Sequence, residues 1–336
     1  MPVDETYMVI DAKGERWKIT AFTRLSVEKN IGADADEFRA ELPVGDEEIE
    51  KLKELKGETV RIYWNGVHVF SGLADEVSYR FSPTEGRAVG LVGRDFTGFL
   101  IDKQLSEGLA NRLRGRAAGS AVQLIANEFG YKADVMAGTK AHPDLFHDGV
   151  PVWSVIRELA KKEGADVWCD ENKVIHFIKV EPGEPKRAYL WPQDKIVSLS
   201  FSQDLTYKMG LVVTVEGYDP KGKRAIVATA MTPRSERREL AEIRVFDPNS
   251  TSVVLARQTA EAKLRELSGR FLTGEIILAE ADPELRPGDT IQIDGVGWLS
   301  GRFVVSGITL TRRADSTGFE VRFRSHTLAA AEVRHE

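Results

Sequence analysis

One stretch constrains this chain more than any other, Val89-Gly-Leu-Val-Gly-Arg-Asp-Phe-Thr-Gly-Phe-Leu100, because its period changes partway along. Ala88, Leu91 and Val92 continue the β-rich run that precedes them. From Phe96 onward the apolar residues fall at i, i+3 and i+4 (Phe96, Phe99, Leu100), which is one face of a helix. The pattern predicts a strand that breaks at Gly93 and a short helix with Asp95 at its N-cap and Thr97 and Gly98 in its first turn. A strand that turns at once into a helix closes one unit and opens another. Gly93, Arg94, Asp95 and Phe96 are therefore read as a structural motif at a domain junction, with Asp95 capping the helix and Arg94 pairing with a neighbouring carboxylate.

The residues before this motif read as β. Tyr7 to Asp11 and Trp17 to Phe22 form a hairpin across Ala12-Lys-Gly-Glu15, and residues 36–43 give a further strand. Glu47 to Leu55 reads as a short helix capped by Asp46 and stopped by Gly57. Asn65-Gly66 between two alternating runs is a strong hairpin signal. Gly72 to Phe81 and Arg87 to Val92 add two strands. So many strands in under a hundred residues predict a closed or nearly closed barrel, which removes exposed edges.

After the motif the texture changes. Val122 to Phe129 and Pro151 to Glu163 read as helices ended by Gly130 and Gly164, and Asp166 to Ile178 as a hairpin. Pro182-Gly-Glu-Pro185 reads as a linker. From Ile196 β returns: strands at 196–202, 210–218 and 224–230, a polar loop at 231–241, a helix at 250–267, then strands at 271–279, 290–293, 301–311 and 318–323. The expected layout is mainly β with an α+β insertion. A β-barrel at 1–100 and another at 191–326 flank an α/β region at 101–190, with a flexible tail at 327–336. Similar lengths and one amphipathic helix in each β-unit suggest a structural repeat, although the two share no obvious sequence identity.

Composition narrows function. The charge of −6 leaves no general excess of cations for phosphate binding, and the basic clusters Arg112–Arg116 and Arg234–Arg238 read as solvated loops. No apolar run is long enough for a membrane span, and the N-terminus lacks a signal-peptide pattern. One cysteine, Cys169, excludes an intramolecular disulfide and reads as an inert core thiol. No phosphate-cradling loop, nucleophile elbow or carboxylate pair stands out. His142, Asp144, His147 and Asp148 have metal-ligand chemistry, but a Pro-containing turn explains them as well. The six tryptophans read as packing residues. No catalytic, cofactor or metal residue is assigned.

The order of these motifs resembles the baseplate hub proteins of contractile phage tails, the late-control protein D family with its defective-prophage members. The likeness rests on Val92-Gly-Arg-Asp-Phe-Thr97 with Leu100 and Asp102, on the helices and hairpin between Val122 and Val174, and on Ala260 to Leu267, Thr273-Gly274, Leu285-x-Pro287-Gly288-Asp289 and Gly301-x-Phe303-Val304-Val305. The resemblance implies two tube-type β-barrels per chain and a homotrimer. Its six barrels would form a pseudo-hexameric ring joining a hexameric tail tube to a trimeric central spike. It also implies contacts with other baseplate proteins, location in a virion tail baseplate assembled in the bacterial cytoplasm, and DNA passing through the lumen without specific binding, eased by an acidic lining. No enzymatic activity and no cofactor are expected. A secretion or extracellular contractile injection system uses the same kind of hub. A tail-tip cell-wall hydrolase or a sugar-binding module, with Trp153 or Trp191 as platform, is the contrasting reading.

Overall fold

The computed structural model describes residues 5–12, 15–32, 34–45, 49, 52, 55, 57–84, 86–136, 138–204, 211–232, 241–268, 271–313 and 316–325. The turn at 13–14, most of the expected 47–55 helix with its Asp46 cap, most of the 231–241 loop with Arg234–Arg238, and the tail from His326 lie outside them.

The first β-region holds β1 (Tyr7–Ala12), β2 (Glu15–Ile19), β3 (Arg24–Asn30), β4 (Glu37–Pro43), β5 (Thr59–Trp64), β6 (Val67–Ser82) and β7 (Gly86–Asp95). The middle region follows: α1 (Thr97–Asp102), α2 (Glu107–Leu113), α3 (Ala118–Glu128), β8 (Lys132–Val135), α4 (Val152–Glu163), β9 (Asp166–Cys169) and β10 (Val174–Ile178). The second β-region holds β11 (Arg187–Leu190), β12 (Ile196–Gln203), β13 (Leu211–Asp219), β14 (Arg224–Met231), β15 (Ala241–Phe246), α5 (Val253–Ser268), β16 (Leu272–Leu278), β17 (Thr290–Asp294), β18 (Gly301–Arg313) and β19 (Thr317–Arg324).

The chain is mainly β and its large sheet is almost wholly antiparallel. That sheet has 13 strands, in the order β12-β16-β19-β18-β3-β4-β7-β6-β5-β1-β2, with β17 beside β18 and β11 beside β17. Both β-regions contribute to it. They join where β3 pairs antiparallel with β18, from Asn30 opposite Gly307 to Arg24 opposite Arg313. One apolar core accordingly draws Met8, Ile62 and Phe70 from the first region and Ile291, Phe303 and Phe323 from the second. The strand β13, flanked by β14 and β15, forms a separate three-stranded sheet whose core (Val213, Val215, Ile226) is covered by Ala256, Ala260 and Leu264 of α5. The middle region has its own core around Trp153, Ile156 and Phe177.

The repeat expected from layout is present in the pairing. In the first region β1 pairs β5, β5 pairs β6, β6 pairs β7, β7 pairs β4 and β4 pairs β3. In the second, β17, β18, β19, β16 and β12 pair antiparallel in that same succession, while β11 lies beside β17 as β1 lies beside β5 but runs parallel to it rather than antiparallel. Each unit also has one long strand bulged where it passes between partners, at Ala74/Glu76 in β6 and Val305/Gly307 in β18. With the bulges aligned, Gly57-Glu-Thr-Val-Arg-Ile62 falls on Gly288-Asp-Thr-Ile-Gln-Ile293. Both glycines have positive φ (83° and 93°), which strongly favours glycine. Both donate their N–H back to the long strand, Gly57 to Ala74 O (2.7 Å) and Gly288 to Val305 O (2.9 Å). The sequence likeness was invisible without this alignment because it covers six residues.

Two local expectations change. The strand does not break at Gly93, since β7 runs on to Asp95. Gly93 is required by close approach: a Cβ there would lie 2.1 Å from Leu73 O and 2.4 Å from Phe38 Cε1. The Arg112–Arg116 cluster is not all loop, because Arg112 lies in the last turn of α2 and pairs with Glu128.

Candidate functional site

The chemistry-bearing side chains gather where the three regions meet. The exit of β7 is the first part of this joint. The Arg94 guanidinium grips both oxygens of Asp75, through Nε at 2.8 Å and Nη2 at 3.0 Å, and reaches Asp102 Oδ2 at 2.9 Å. Asp75 is the bulged residue of β6 and Asp102 ends α1, so one cation ties the first sheet to the middle region. Gly98 makes room for it, because a Cβ there would sit 3.1 Å from Arg94 Nε. Phe96 precedes α1, its ring beneath Lys173 Nζ at 4.2 Å, and its carbonyl accepts from Tyr131 Oη at 2.6 Å.

Asp95 is buried and accepts from Thr97 N (3.0 Å) and Thr97 Oγ1 (2.7 Å). It serves a first-turn N–H of α1 from one residue before the geometric N-cap, Phe96, which has no side chain able to do so. Asp95 N–H donates to Asp36 O at 2.9 Å, and Asp36 Oδ1 accepts from Asn30 N at 2.8 Å. Burial drives both acids up: Asp36 reaches about 7, and Asp95, raised further by the neighbouring Asp36 charge, lies well above the ordinary range.

The second part was missed by sequence reasoning. Lys29 on β3 is 3% exposed and donates to Glu171 Oε2 at 2.7 Å, while Arg286 Nε reaches Glu171 Oε1 at 3.1 Å and its Nη2 reaches His68 O at 3.0 Å. Glu171 lies in the β9–β10 turn, so Lys29, Glu171 and Arg286 come one each from the first, middle and last regions. Burial pushes Glu171 up, but the two cations outweigh it and hold it below the usual range. A signal existed: Leu25, Val27 and Lys29 share one face of β3, so a lysine stands in an apolar row. A third contact joins the middle region to the β13–β15 sheet. Buried Lys140 donates to Asp247 (2.5 Å), Ser250 Oγ (3.0 Å) and Thr259 Oγ1 (2.9 Å).

The other candidates disperse. His142 Nε2 contacts Glu163 at 2.8 Å, whereas Asp144 pairs with Lys162 and Asn249. Among the described residues no three His, Cys, Asp or Glu side chains are grouped to hold an ion. Cys169 is buried, which pushes its thiol up and away from thiolate chemistry. Trp153 is 2% exposed and is no platform for a sugar, while Trp191 and Trp298 reach solvent. No described helix is long and apolar enough to cross a membrane. The arrangement is a set of ion-paired joints between regions.

The fold is similar to those of phage tail proteins and of a type VI secretion component. The tail protein of Neisseria meningitidis MC58 superposes with a TM-score of 0.72 at 16% identity, covering 95% of this chain and 96% of that one. The 43 kDa tail protein of prophage MuSo2 from Shewanella oneidensis gives 0.70 at 13%, over 95% and 98%. An Escherichia coli component of the type VI secretion system, described as similar to the bacteriophage T4 tail proteins gp27 and gp5, gives 0.59 at 8%, over 98% and 79%. No family model matches the sequence, and no curated protein matches it. The likeness is one of fold, spans nearly the whole chain, and agrees with the baseplate-hub resemblance of the motifs.

Proposed function

We propose that the protein is a structural, non-catalytic baseplate hub of a contractile phage or phage-like tail. Three copies form a ring of six tube-type β-units that joins the hexameric tail tube to the trimeric central spike. The observation that carries this reading is the duplicated five-strand antiparallel pairing within a fold shared, end to end, with tail proteins. Two like units per chain turn threefold symmetry into near-sixfold symmetry, the mismatch such an adaptor has to bridge. The buried joints fit a load-bearing part, because they lock the middle region and both β-units into one orientation. The ring would sit in the virion tail baseplate, assembled in the bacterial cytoplasm, with DNA passing through its centre.

The hub of a secretion system is the second reading, favoured by the type VI likeness. Light scattering on the purified chain, alone and mixed with its tail-tube and spike proteins, tests the proposal. The expected result is a mass of three chains, alone or in the mixture. A monomer that ignores both proteins would defeat it.

A further inference from the structure

We propose that one copy receives the next by strand addition: β12 of one chain pairs antiparallel with residues 77–82 of β6 in its partner, repeating between chains the joint that β3 and β18 make within one. The inference rests on the hub reading for the number of copies only. The joint itself follows from the internal repeat.

In the second unit, β18 passes its bulge at Ser306 and is then paired on both sides, by β19 and by β3. In the first unit, β6 passes its equivalent bulge at Asp75 and is then paired only by β7, since its register with β5 ends at Leu73. Among the described residues, Glu76 to Phe81 have no strand on their other side. Likewise β3 lies between β4 and β18, whereas its counterpart β12, among the described residues, is paired only by β16 and ends the sheet. Each unit therefore carries the matching half of a joint already built once. A free strand edge is a template for another strand, and the one strand edge known to fit this template is the equivalent one on a second copy.

Exposure supports this. Ile308 and Leu310, covered by β3, are 0% exposed, while at the corresponding position on β6 Tyr79 is 39% exposed and Phe81 beyond it 63%. Leu25 and Val27 on β3 are 0% exposed, but their counterparts on β12, Leu199 and Phe201, are only partly buried.

Transferring the register of β3 and β18 fixes the contacts. Val77 falls opposite the partner's Gln203, Tyr79 opposite the partner's Phe201 and Phe81 opposite the partner's Leu199. On the other face Ser78 meets the partner's Ser202 and Arg80 the partner's Ser200. Tyr79 and Phe81 meet apolar residues and Ser78 and Arg80 meet polar ones, Val77 opposite Gln203 being the exception. A one-residue slip would set the two aromatics against serines. Just beyond the joint Glu76 faces the partner's Asp204, so added salt tightens association by screening two like charges.

The double variant Tyr79→Cys/Phe201→Cys tests the joint. Directly opposed residues in an antiparallel pair have Cα atoms about 4.5–5.5 Å apart, within disulfide reach. Six strands separate β6 from β12 within one chain, so the bond forms between copies. Mild oxidation should give covalent dimers and a trimer on a non-reducing gel. The control Ser78→Cys/Phe201→Cys, whose side chains point to opposite faces, should give far less. Phe81→Asp, at a solvent-facing position, should keep the native melting temperature and weaken self-association about tenfold or more, the scale of losing one interface aromatic. No crosslink, or equal crosslinking in both double variants, overturns the joint. Co-purification of the unaltered chain with tube and spike proteins separates the two claims. Binding without the crosslink keeps the hub and discards the joint, and a crosslinked ring that ignores both proteins does the reverse.

Discussion

The two β-units share a pairing scheme and solve its packing in opposite ways. In the first, Phe38 on β4 lies across from Gly93 on β7, and the ring fills the space that a side chain at Gly93 would take. In the second, at the same place, Gly274 on β16 lies across from Phe323 on β19, and a Cβ on Gly274 would be 2.4 Å from Phe323 Cζ. One large and one small residue are needed per pair, and either strand can supply the large one. The units also differ at the position shared by Lys29 and Gln203. The first unit places a charge there and requires the Glu171–Arg286 pair to satisfy it, while the second uses a neutral amide. The two units thus share strand order and the large-and-small pairing at Phe38–Gly93 and Gly274–Phe323, but not residue identity.

Writing one unit's residues into the other tests that comparison. The largest effect is expected from Lys29→Gln, which gives the first unit the residue of the second. It leaves the buried Glu171 with one cation, and the loss should be about 3 kcal/mol or more in denaturant titrations, the scale for breaking a buried pair. An unchanged midpoint would show that Arg286 alone satisfies Glu171.

Next come Gly93→Ala and Gly274→Ala, expected to cost about 1–3 kcal/mol each by overpacking. Adding Phe38→Leu to the first, or Phe323→Leu to the second, should recover the ring's share of the loss and leave the share due to the carbonyls of Leu73 and Ser200. No recovery in either unit would contradict the large-and-small account.

The pH response should separate the units too, because Asp36 and Asp95 belong to the first. Their carboxyls are raised by burial, Asp36 to about 7, against about 3.9 when unfolded. A raised acid favours the folded state most when protonated in both states. That contribution is complete below about pH 4 and is lost as pH rises through about 7. Asp36→Asn should flatten stability between those limits, and Asp95→Asn should act in the same sense while keeping an acceptor for Thr97 N–H. A wild-type stability that rises steadily from pH 4 to 7 would refute this.

The smallest effects are expected at the two arginines near the ends of β7 and β19. Arg94→Lys loses the two-point grip on Asp75 and Arg324→Lys the contact with Asp166, each costing about 1 kcal/mol or less at partly exposed sites. The Arg94 effect should shrink in high salt.

Local structure was readable wherever a residue's own conformation decides it. Asn65-Gly66 made the hairpin, with both φ positive. Gly164 closed α4 in the left-handed region at φ 61°. Arg94 and Asp95 were visible because they stand at a change of period, and the apolar row on β3 marked Lys29 for a reader who asked what a lysine does there. The partners of these residues were not visible. Arg94's main partner, Asp75, lies on another strand, and Glu171 and Arg286 lie far along the chain from Lys29.

The amino-acid sequence by itself determined most of the strands and helices, their order and the places where the chain changes texture, because period, turn chemistry and capping act within a few residues. The strands β3, β8, β11 and β15 and the helix α2 went unread, β8 and β11 being only four residues each and too short to show a period. Only the tertiary structure decided that β3 pairs with β18, that the two β-regions share one core while β13 to β15 form a sheet apart, and that each unit leaves a matching edge unpaired among the described residues. A period-2 pattern says which face of a strand is buried and nothing about which strand lies beside it. That choice is made by backbone hydrogen bonds and side-chain fit between residues hundreds of positions apart.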